Sequence, residues 1–300
     1  MSSTETEQAV EQQAAGNSFP VDVWVTLKRW LQKAVRNASI VFEALLSPFI
    51  FLILFTQVFG KLADGPIQDL FGADVNYVIF LTPAIIIVTA MTVAIQSGSG
   101  LIQDMDSGMF EKVLVSPTHR EAIFLGKALA DVIRVVFQSA IVLVLGYILL
   151  WISSGGSVGT YIQTGLGGVL GIFAIVIVYS LWFTAYSIII ALVTQDIESA
   201  NIWLYMTHYP LLFSSSAFMP ITFLPEWMQV VATVNPVTYG VDALRALMLG
   251  QDVLTVIDVT AFSGIWNTIV PAVVVLGVLD LVLGGIAAVL LHRVSSSQVR

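Results

Sequence analysis

Few residues in this chain are able to do chemistry. There is no cysteine, so disulfides and thiolate chemistry are excluded. The three histidines, His119, His208 and His292, lie far apart, and no His-Glu-x-x-His pair occurs to seat a catalytic metal. No Gly-x-x-x-x-Gly-Lys-Ser/Thr loop is present to cradle the phosphates of a nucleotide. Gln96-Ser97-Gly98-Ser99-Gly100 is rich in glycine but lacks the lysine, and it closes an apolar stretch as a helix-end turn would. No nucleophile, base and orienting acid converge, so no catalytic residue and no metal site are assigned. What remains is a set of polar residues inside long apolar stretches, where lipid makes them costly. Asp280 lies near the middle of the last stretch. It would contact cargo or a proton, or be hydrogen-bonded within a helix bundle. His208 stands with Thr207, Pro210, Ser214, Ser215 and Ser216 in a polar, kinked stretch that would line a path or pack helix on helix.

The elements that must position these residues are six apolar stretches, near 38–60, 77–98, 129–151, 165–193, 199–219 and 268–292. A bilayer core is crossed by roughly 20 apolar residues in a helix. Helices are expected because a spanning segment must satisfy its backbone hydrogen bonds internally. Barrel strands would alternate apolar and polar residues over about ten positions, and these stretches do not. Of the 12 Lys and Arg residues, only Lys61 and Arg245 fall in loops on the far side from the rest. By the positive-inside rule both termini are cytoplasmic. Loops near 61–76, 152–164 and 220–267 then face out, and those near 99–128 and 194–198 face in.

Composition agrees. The chain is 57% hydrophobic and 11% charged, with mean hydropathy +0.90. Residues 37–300 read as one membrane domain, with no room for a separate soluble enzyme domain. Residues 1–19 are polar and acidic and read as a disordered cytoplasmic tail rather than a signal peptide. The net charge of −8 sits in loops and in this tail. It suits either a high-salt habitat or ordinary drift in exposed segments.

Three further elements stand out. Residues 20–36 form an amphipathic interface helix, with Val23, Trp24, Leu27, Trp30, Leu31, Ala34 and Val35 on one face and Arg29, Gln32, Lys33 and Arg36 opposite. The inner loop carries Phe110, Val113 and Leu114 at helical spacing, with Asp106, Glu111 and Lys112 around them and Pro117 as a stop. This short helix is either a docking knob or a surface connector. In the last outer loop, Leu224-Pro225-Glu226 starts one short helix and Asn235-Pro236 starts another, which Gly250 ends. Asp242 and Arg245 stand three apart there and can pair. Both helices are long enough to dip into a membrane but not to cross it. The expected fold is therefore all-α, with six transmembrane helices, an interface helix, a short cytoplasmic helix and two re-entrant outer helices.

These stretches carry a family resemblance. Asp106-Ser107-Gly108-Met109-Phe110-Glu111-Lys112-Val113-Leu114-Val115-Ser116-Pro117, then Arg120 and Gly126-Lys127, resembles the cytoplasmic signature of ABC-2 type transporter permeases. Phe218-Met219-Pro220 with Leu224-Pro225 resembles their exit from the fifth span, and Asn235-Pro236 through Asp242 and Arg245 their block before the sixth. The chain departs from the family at Met109, often Thr, at Pro83-Ala84, often Pro-Gly, and at Ser215-Ser216, often Ser-Gly. The resemblance covers nearly the whole chain from about residue 20.

What it implies is a partner and a mechanism. Two permeases, alike or different, would join two ATP-binding subunits in a prokaryotic plasma membrane. The partner would bind ATP and Mg, and this chain would bind neither. The helix around 105–116 would be the coupling helix, with Asp106, Phe110, Glu111, Lys112, Val113 and Leu114 meeting the ATPase. Cargo of the daunorubicin-resistance type is amphiphilic, drug-like or lipid-like. A glycan or polysaccharide exporter is the alternative. An ion-coupled secondary transporter would need several midplane acids and repeated halves, and only Asp280 is on offer. Nothing points to a nucleic-acid partner.

Overall fold

The computed structural model of the chain describes residues 18–108, 119–254 and 261–297. Most of the acidic tail lies outside the described residues, as do Phe110, Glu111, Lys112, Val113 and Leu114 of the inner loop. Among the described residues the regular elements are all helical. In chain order they are α1 (Phe19–Arg36), α2 (Ala38–Phe71), α3 (Tyr77–Asp106), α4 (Arg120–Ser154), α5 (Val158–Tyr161), α6 (Gly165–Thr194) and α7 (Ile197–Phe213). A 3-10 turn at Ile221–Phe223 follows, then α8 (Glu226–Val234), α9 (Pro236–Leu249) and α10 (Trp266–Ser297).

Helix ends follow the local chemistry. The Asn76 side chain accepts the Ile79 amide at 3.1 Å and starts α3. Asp196 caps α7 by accepting the Ser199 amide at 2.7 Å, and this bonding holds its carboxyl below the ordinary carboxylate range. Asn235 accepts the Val237 amide at 2.9 Å with Pro236 in the first turn of α9, and Gly250 ends that helix with φ +67°.

Two boundaries differ from expectation. α2 runs on to Phe71 rather than stopping near residue 60, so Lys61 sits in a helix and not in a loop. Beyond Gly60 the run Lys61-Leu62-Ala63 favours helix. Past its middle, Asp64 Oδ1 accepts the Tyr77 amide at 2.7 Å and fixes the start of α3. α7 stops at Phe213 instead of 219. Pro210 cannot donate a helical amide, and Ser214 and Ser215 turn their hydroxyls onto the Pro210 and Leu212 carbonyls, at 2.6 and 2.7 Å, in place of the next turn. At 17 residues α7 spans ~26 Å, short of a hydrocarbon core of about 30 Å. The chain continues from it as an unwound stretch to Pro220. Five helices among the described residues are long and apolar enough to cross a membrane: Leu46–Phe71, Tyr77–Asp106, Leu125–Ser154, Gly165–Thr194 and Trp266–Leu291.

α3 is the axis of the bundle. It is apolar on all sides from Tyr77 to Ile95 and is buried almost throughout, as a helix with no polar face must be. It packs chiefly on α6 and α4 and then on α2. α10 packs on α6 and α9. Small residues let backbones touch, as helix packing in lipid requires. A Cβ on Gly98 would land on the Ser187 hydroxyl and 2.8 Å from the Ser187 carbonyl of α6. Large apolar side chains such as Phe137, Trp151, Trp203 and Leu281 point outward. A soluble monomer rarely exposes so much contiguous apolar surface, and lipid is the solvent that suits it. The chain is a multi-pass membrane protein.

Candidate functional site

The residues singled out in the last outer loop converge, but not where the sequence suggested. In the sequence of α9, Val237, Leu244 and Met248 fall on one apolar side. In the fold every residue from Val237 to Leu249 is buried, including Asp242 and Arg245. Arg245 is 2% exposed and is the largest of the fully buried side chains described. Its Nη1 donates to Asp242 Oδ1 at 3.0 Å, its Nε to the Phe80 carbonyl at 3.1 Å, and its Nη2 to the Ser216 and Ala217 carbonyls at 2.8 and 3.1 Å. The guanidinium also lies 3.5 Å from the Phe80 ring centre, a cation–π distance. An outer-surface pair is thus replaced by a charged bolt inside the bundle.

The physical reason is the unwound stretch after α7. Backbone carbonyls away from water must be bonded, and a non-helical segment cannot bond its own. Arg245 takes those of Ser216 and Ala217, and the Tyr77 hydroxyl takes that of Phe218 at 3.1 Å. Asn235 Nδ2 donates to the Leu211 carbonyl at 2.6 Å and to the Ser214 hydroxyl at 3.1 Å. Ser216 Oγ donates to Asp242 Oδ1 at 2.7 Å. The Asn-Pro block and the serine run are therefore one construction. Ser214, Ser215, Ser216, Asn235, Asp242 and Arg245 meet there. Pro220 leads into the 3-10 turn and Pro225 stands before the first residue of α8.

Beside this seam lies an apolar groove. One part, about 190 Å³, is walled by Phe55, Phe59, Tyr77, Phe213, Phe218 and Met219. A second part, also about 190 Å³, shares Phe59 and Met219 and continues along Leu62, Pro66, Ile67 and Phe223. Phe55 stacks on Phe218 at 4.5 Å between ring centres, and Phe59 faces Tyr77 at 6.5 Å. No local pattern announces this groove, because its walls come from α2, from Tyr77 at the start of α3 and from a stretch more than 140 residues after α2.

Two other candidates stand apart from it. His208 is buried against Phe183, Tyr205 and Tyr209, with its Nδ1 unpartnered among the described residues. Asp280 lies on α10 with a buried Oδ1 that no described residue bonds.

At the opposite end of α3 a charged cluster went unnoticed in the sequence. Asp131 of α4 accepts from Ser97 at 2.6 Å and from Lys127 at 3.1 Å, and Lys127 also bonds Ser97. Arg134 lies 3.5 Å from Asp131 and bonds Gln96. The available signal was Lys-x-x-x-Asp-x-x-Arg inside an apolar helix, where a carboxylate reaches bases one turn away on both sides. Nearby, Asp104 accepts from Lys33 at 2.9 Å and Arg29 at 3.2 Å of α1. These two bases were expected on a solvent-facing side and instead turn toward the bundle. The stripe that faces away carries Trp24, Lys28 and Val35. Asp106, two residues beyond Asp104, is exposed.

Comparison with known proteins places this architecture. The putative transport permease ycf38 of Cyanophora paradoxa is 27% identical over 76% of this chain and 74% of its own length. The daunorubicin resistance ABC transporter permease protein DrrB1 of Streptomyces coeruleorubidus is 28% identical over 69% of this chain and 68% of its own. The probable doxorubicin resistance ABC transporter permease protein DrrC of Mycobacterium tuberculosis is 22% identical over 81% and 82%. Residues 21–249, which run from α1 to the last residue of α9, match the family described as ABC-2 type transporter. The chain belongs to the ABC-2 type transporter family, as a permease.

Proposed function

We propose that this permease moves an amphiphilic small molecule, drug-like or lipid-like, from the cytoplasmic side outward. ATP hydrolysis in a separate subunit drives it. The observation that carries the cargo class is the groove between α2 and the unwound exit of α7. Its walls are aromatic and aliphatic, and the bonded backbone of Ser214–Ser216 runs alongside. A site of this kind suits an apolar body with a polar end. A glycan would need rows of hydrogen-bonding side chains that these walls lack. The names of two relatives, which concern resistance to daunorubicin and doxorubicin, support the same class.

In this reading two permeases pair with two ATP-binding subunits. The inner loop seats the ATPase through Asp106, Phe110, Glu111, Lys112, Val113 and Leu114. α7 with its unwound extension completes a six-span topology, both termini are cytoplasmic, and α1 lies along the inner membrane surface. ATP and Mg are bound by the partner subunit. The Ser214–Ser216 seam borders the cargo path. His208 and Asp280 act from the bundle's flank, Asp280 meeting a cationic or protonated group on the cargo.

Reconstitution with the ATP-binding partner tests this. Proteoliposomes should move a fluorescent anthracycline only with ATP and partner present, and Phe59→Ala should raise its half-saturating concentration with the complex intact. ATP turnover by the purified chain alone, or ATP-driven flux of a short glycan but not of the anthracycline, would overturn the proposal.

A further inference from the structure

At the end of the bundle that carries α1, a small cavity of about 160 Å³ opens between α1, α3, α4 and α7. Polar heads gather around it. Trp30, Lys33 and Asn37 come from α1, Gln96 and Gln103 from α3, and Arg134 from α4. On α1 and on α3 these residues recur at helical spacing, so each set lies on one stripe. Gly100, between the two glutamines, has no side chain to fill the space. Ala34 and Ile197 complete the wall with carbon.

The charges around the cavity do not balance. Asp104 is held by Arg29 and Lys33, at 3.2 and 2.9 Å. Asp131 is held by Lys127 and Arg134, at 3.1 and 3.5 Å. Four cations thus share two carboxylates, and two positive charges are left over. Three of the cations also crowd one ring. Arg29 lies 5.3 Å from the centre of Trp30, and Lys33 and Lys127 lie 4.8 Å from it. Trp30 Nε1 is buried with no partner among the described residues. Lys33 and Arg134 line the cavity and keep donors in hand. Lys33 bonds Asp104, and Arg134 bonds Asp131 and Gln96, whereas an ammonium has three donors and a guanidinium five. Asp196 and Glu198, on either side of Ile197, are exposed. A cleft with such an excess of one sign draws in a counter-ion.

We propose that this cavity seats the phosphate of an anionic phospholipid, held as a resident ligand and not as cargo. The Arg134 fork and the Lys33 ammonium take the phosphate oxygens. The Trp30 Nε1–H and the Gln103 amide donate beside them. The size suits a head group, since drug-sized molecules occupy roughly 300–1,000 Å³. The acyl chains have apolar surface to follow. Phe42 of α2 and Ile202 of α7 are exposed, each five residues beyond a residue that lines the cavity, Asn37 and Ile197. Tryptophan and basic side chains together mark the head-group level of a bilayer. That the lipid belongs to the cytoplasmic leaflet rests on the orientation proposed above, whereas the anion site does not.

The test titrates the full chain, purified in detergent, with short-chain phosphatidylglycerol. Phosphatidylcholine of the same chain length and inorganic phosphate run in parallel. Native mass spectrometry reads the bound lipid, and the melting temperature reads the stabilisation that binding brings. Phosphatidylglycerol should bind about tenfold more tightly than phosphatidylcholine. Arg134→Gln and Lys33→Gln should each weaken it by about tenfold, the scale of one charge-assisted hydrogen bond. Each change leaves its carboxylate with the other base. Ala34→Phe changes no charge and should abolish binding by filling the cavity. Lys28→Gln, on the exposed stripe of α1, should alter it by less than about twofold. If Arg134→Gln does not fold, Ala34→Phe decides. Full lipid binding in Ala34→Phe, an equal loss in Lys28→Gln, or equal binding of the two lipids would overturn the site. Inorganic phosphate that binds as tightly as the lipid would overturn the lipid as occupant. Cysteine labelling at Ser107 and Ser157 reports separately on the orientation, so a wrong leaflet and an absent site give different results.

Discussion

Arg245 and Asp242, one turn apart on α9, form a 3.0 Å ion pair with each side chain 2% exposed, and the arginine spends its remaining donors on backbone carbonyls of two other segments. The pair is therefore a structural bolt for the exit of α7. Arg245→Ala strands a buried carboxylate and leaves three carbonyls without this donor. Breaking a buried pair in this way costs roughly 3–5 kcal/mol. Arg245→Lys should recover only part, since an ammonium lacks the planar fork that reaches three acceptors. Size-exclusion profiles of detergent-solubilised protein after a temperature ramp would show it. Wild-type stability in Arg245→Ala would refute the bolt.

The Lys127–Asp131 pair should behave asymmetrically. Both side chains are about nine-tenths buried. Asp131→Leu alone leaves Lys127 facing Ser97 without its counter-ion, at a cost of about 3 kcal/mol or more. Lys127→Met added to it should bring stability back to within roughly 1 kcal/mol of wild type, because a buried pair is often replaceable by apolar residues. A double-mutant cycle on thermal stability measures the coupling, and simple additivity of the two costs would contradict the pairing.

Gly98 should tolerate no side chain. Even alanine places its Cβ against Ser187, so α3 and α6 must separate there. Overpacking of this kind costs about 1–3 kcal/mol. Gly98→Ala should lower the melting temperature, and Gly98→Ala with Ser187→Gly should recover only the part due to the hydroxyl, because the Ser187 carbonyl oxygen still lies 2.8 Å from the new Cβ. Gly277, with nothing within 4 Å of its Cβ position, is the control and should accept alanine.

Orientation can be read with single cysteines, since none occurs naturally. Ser107 and Ser157 are both exposed and sit on opposite ends of the bundle. In intact cells Ser157→Cys should react with an impermeant thiol reagent, and Ser107→Cys should react only after the membrane is opened. The reverse pattern would invert the proposed topology.

Periodicity and end chemistry made much of the fold legible. The long helices, the amphipathic α1, and the starts of α8 and α9 at Pro225 and Asn235 were all visible, because apolar runs and caps are local signals. The i, i+3 spacing also announced the Asp242–Arg245 contact. Its burial was not legible, since the carbonyls that demand the charge belong to Phe80, Ser216 and Ala217, from 28 to 165 residues away. Asp104 escaped notice for the same reason: its partners on α1 are 71 and 75 residues earlier. The early end of α7 was hidden because three serines and a proline look like a polar patch within a span until the Ser214 and Ser215 hydroxyls are seen on backbone carbonyls and that of Ser216 on Asp242.

The seam at Ser214–Pro220 also orders events during synthesis. Its carbonyls are bonded by Tyr77, which is made earlier, and by Arg245, which emerges later, and Asn235 bonds the Leu211 carbonyl just before it. While α7 is leaving the ribosome, the Leu211, Ser216 and Ala217 carbonyls have no partner yet, and hydrocarbon offers none. α7 and α9 therefore settle as a pair, after the chain has grown at least to Arg245. A nascent chain stopped before Asn235 carries an exit segment that the lipid cannot accept. Quality-control proteases at the membrane would meet that segment as exposed, unbonded backbone.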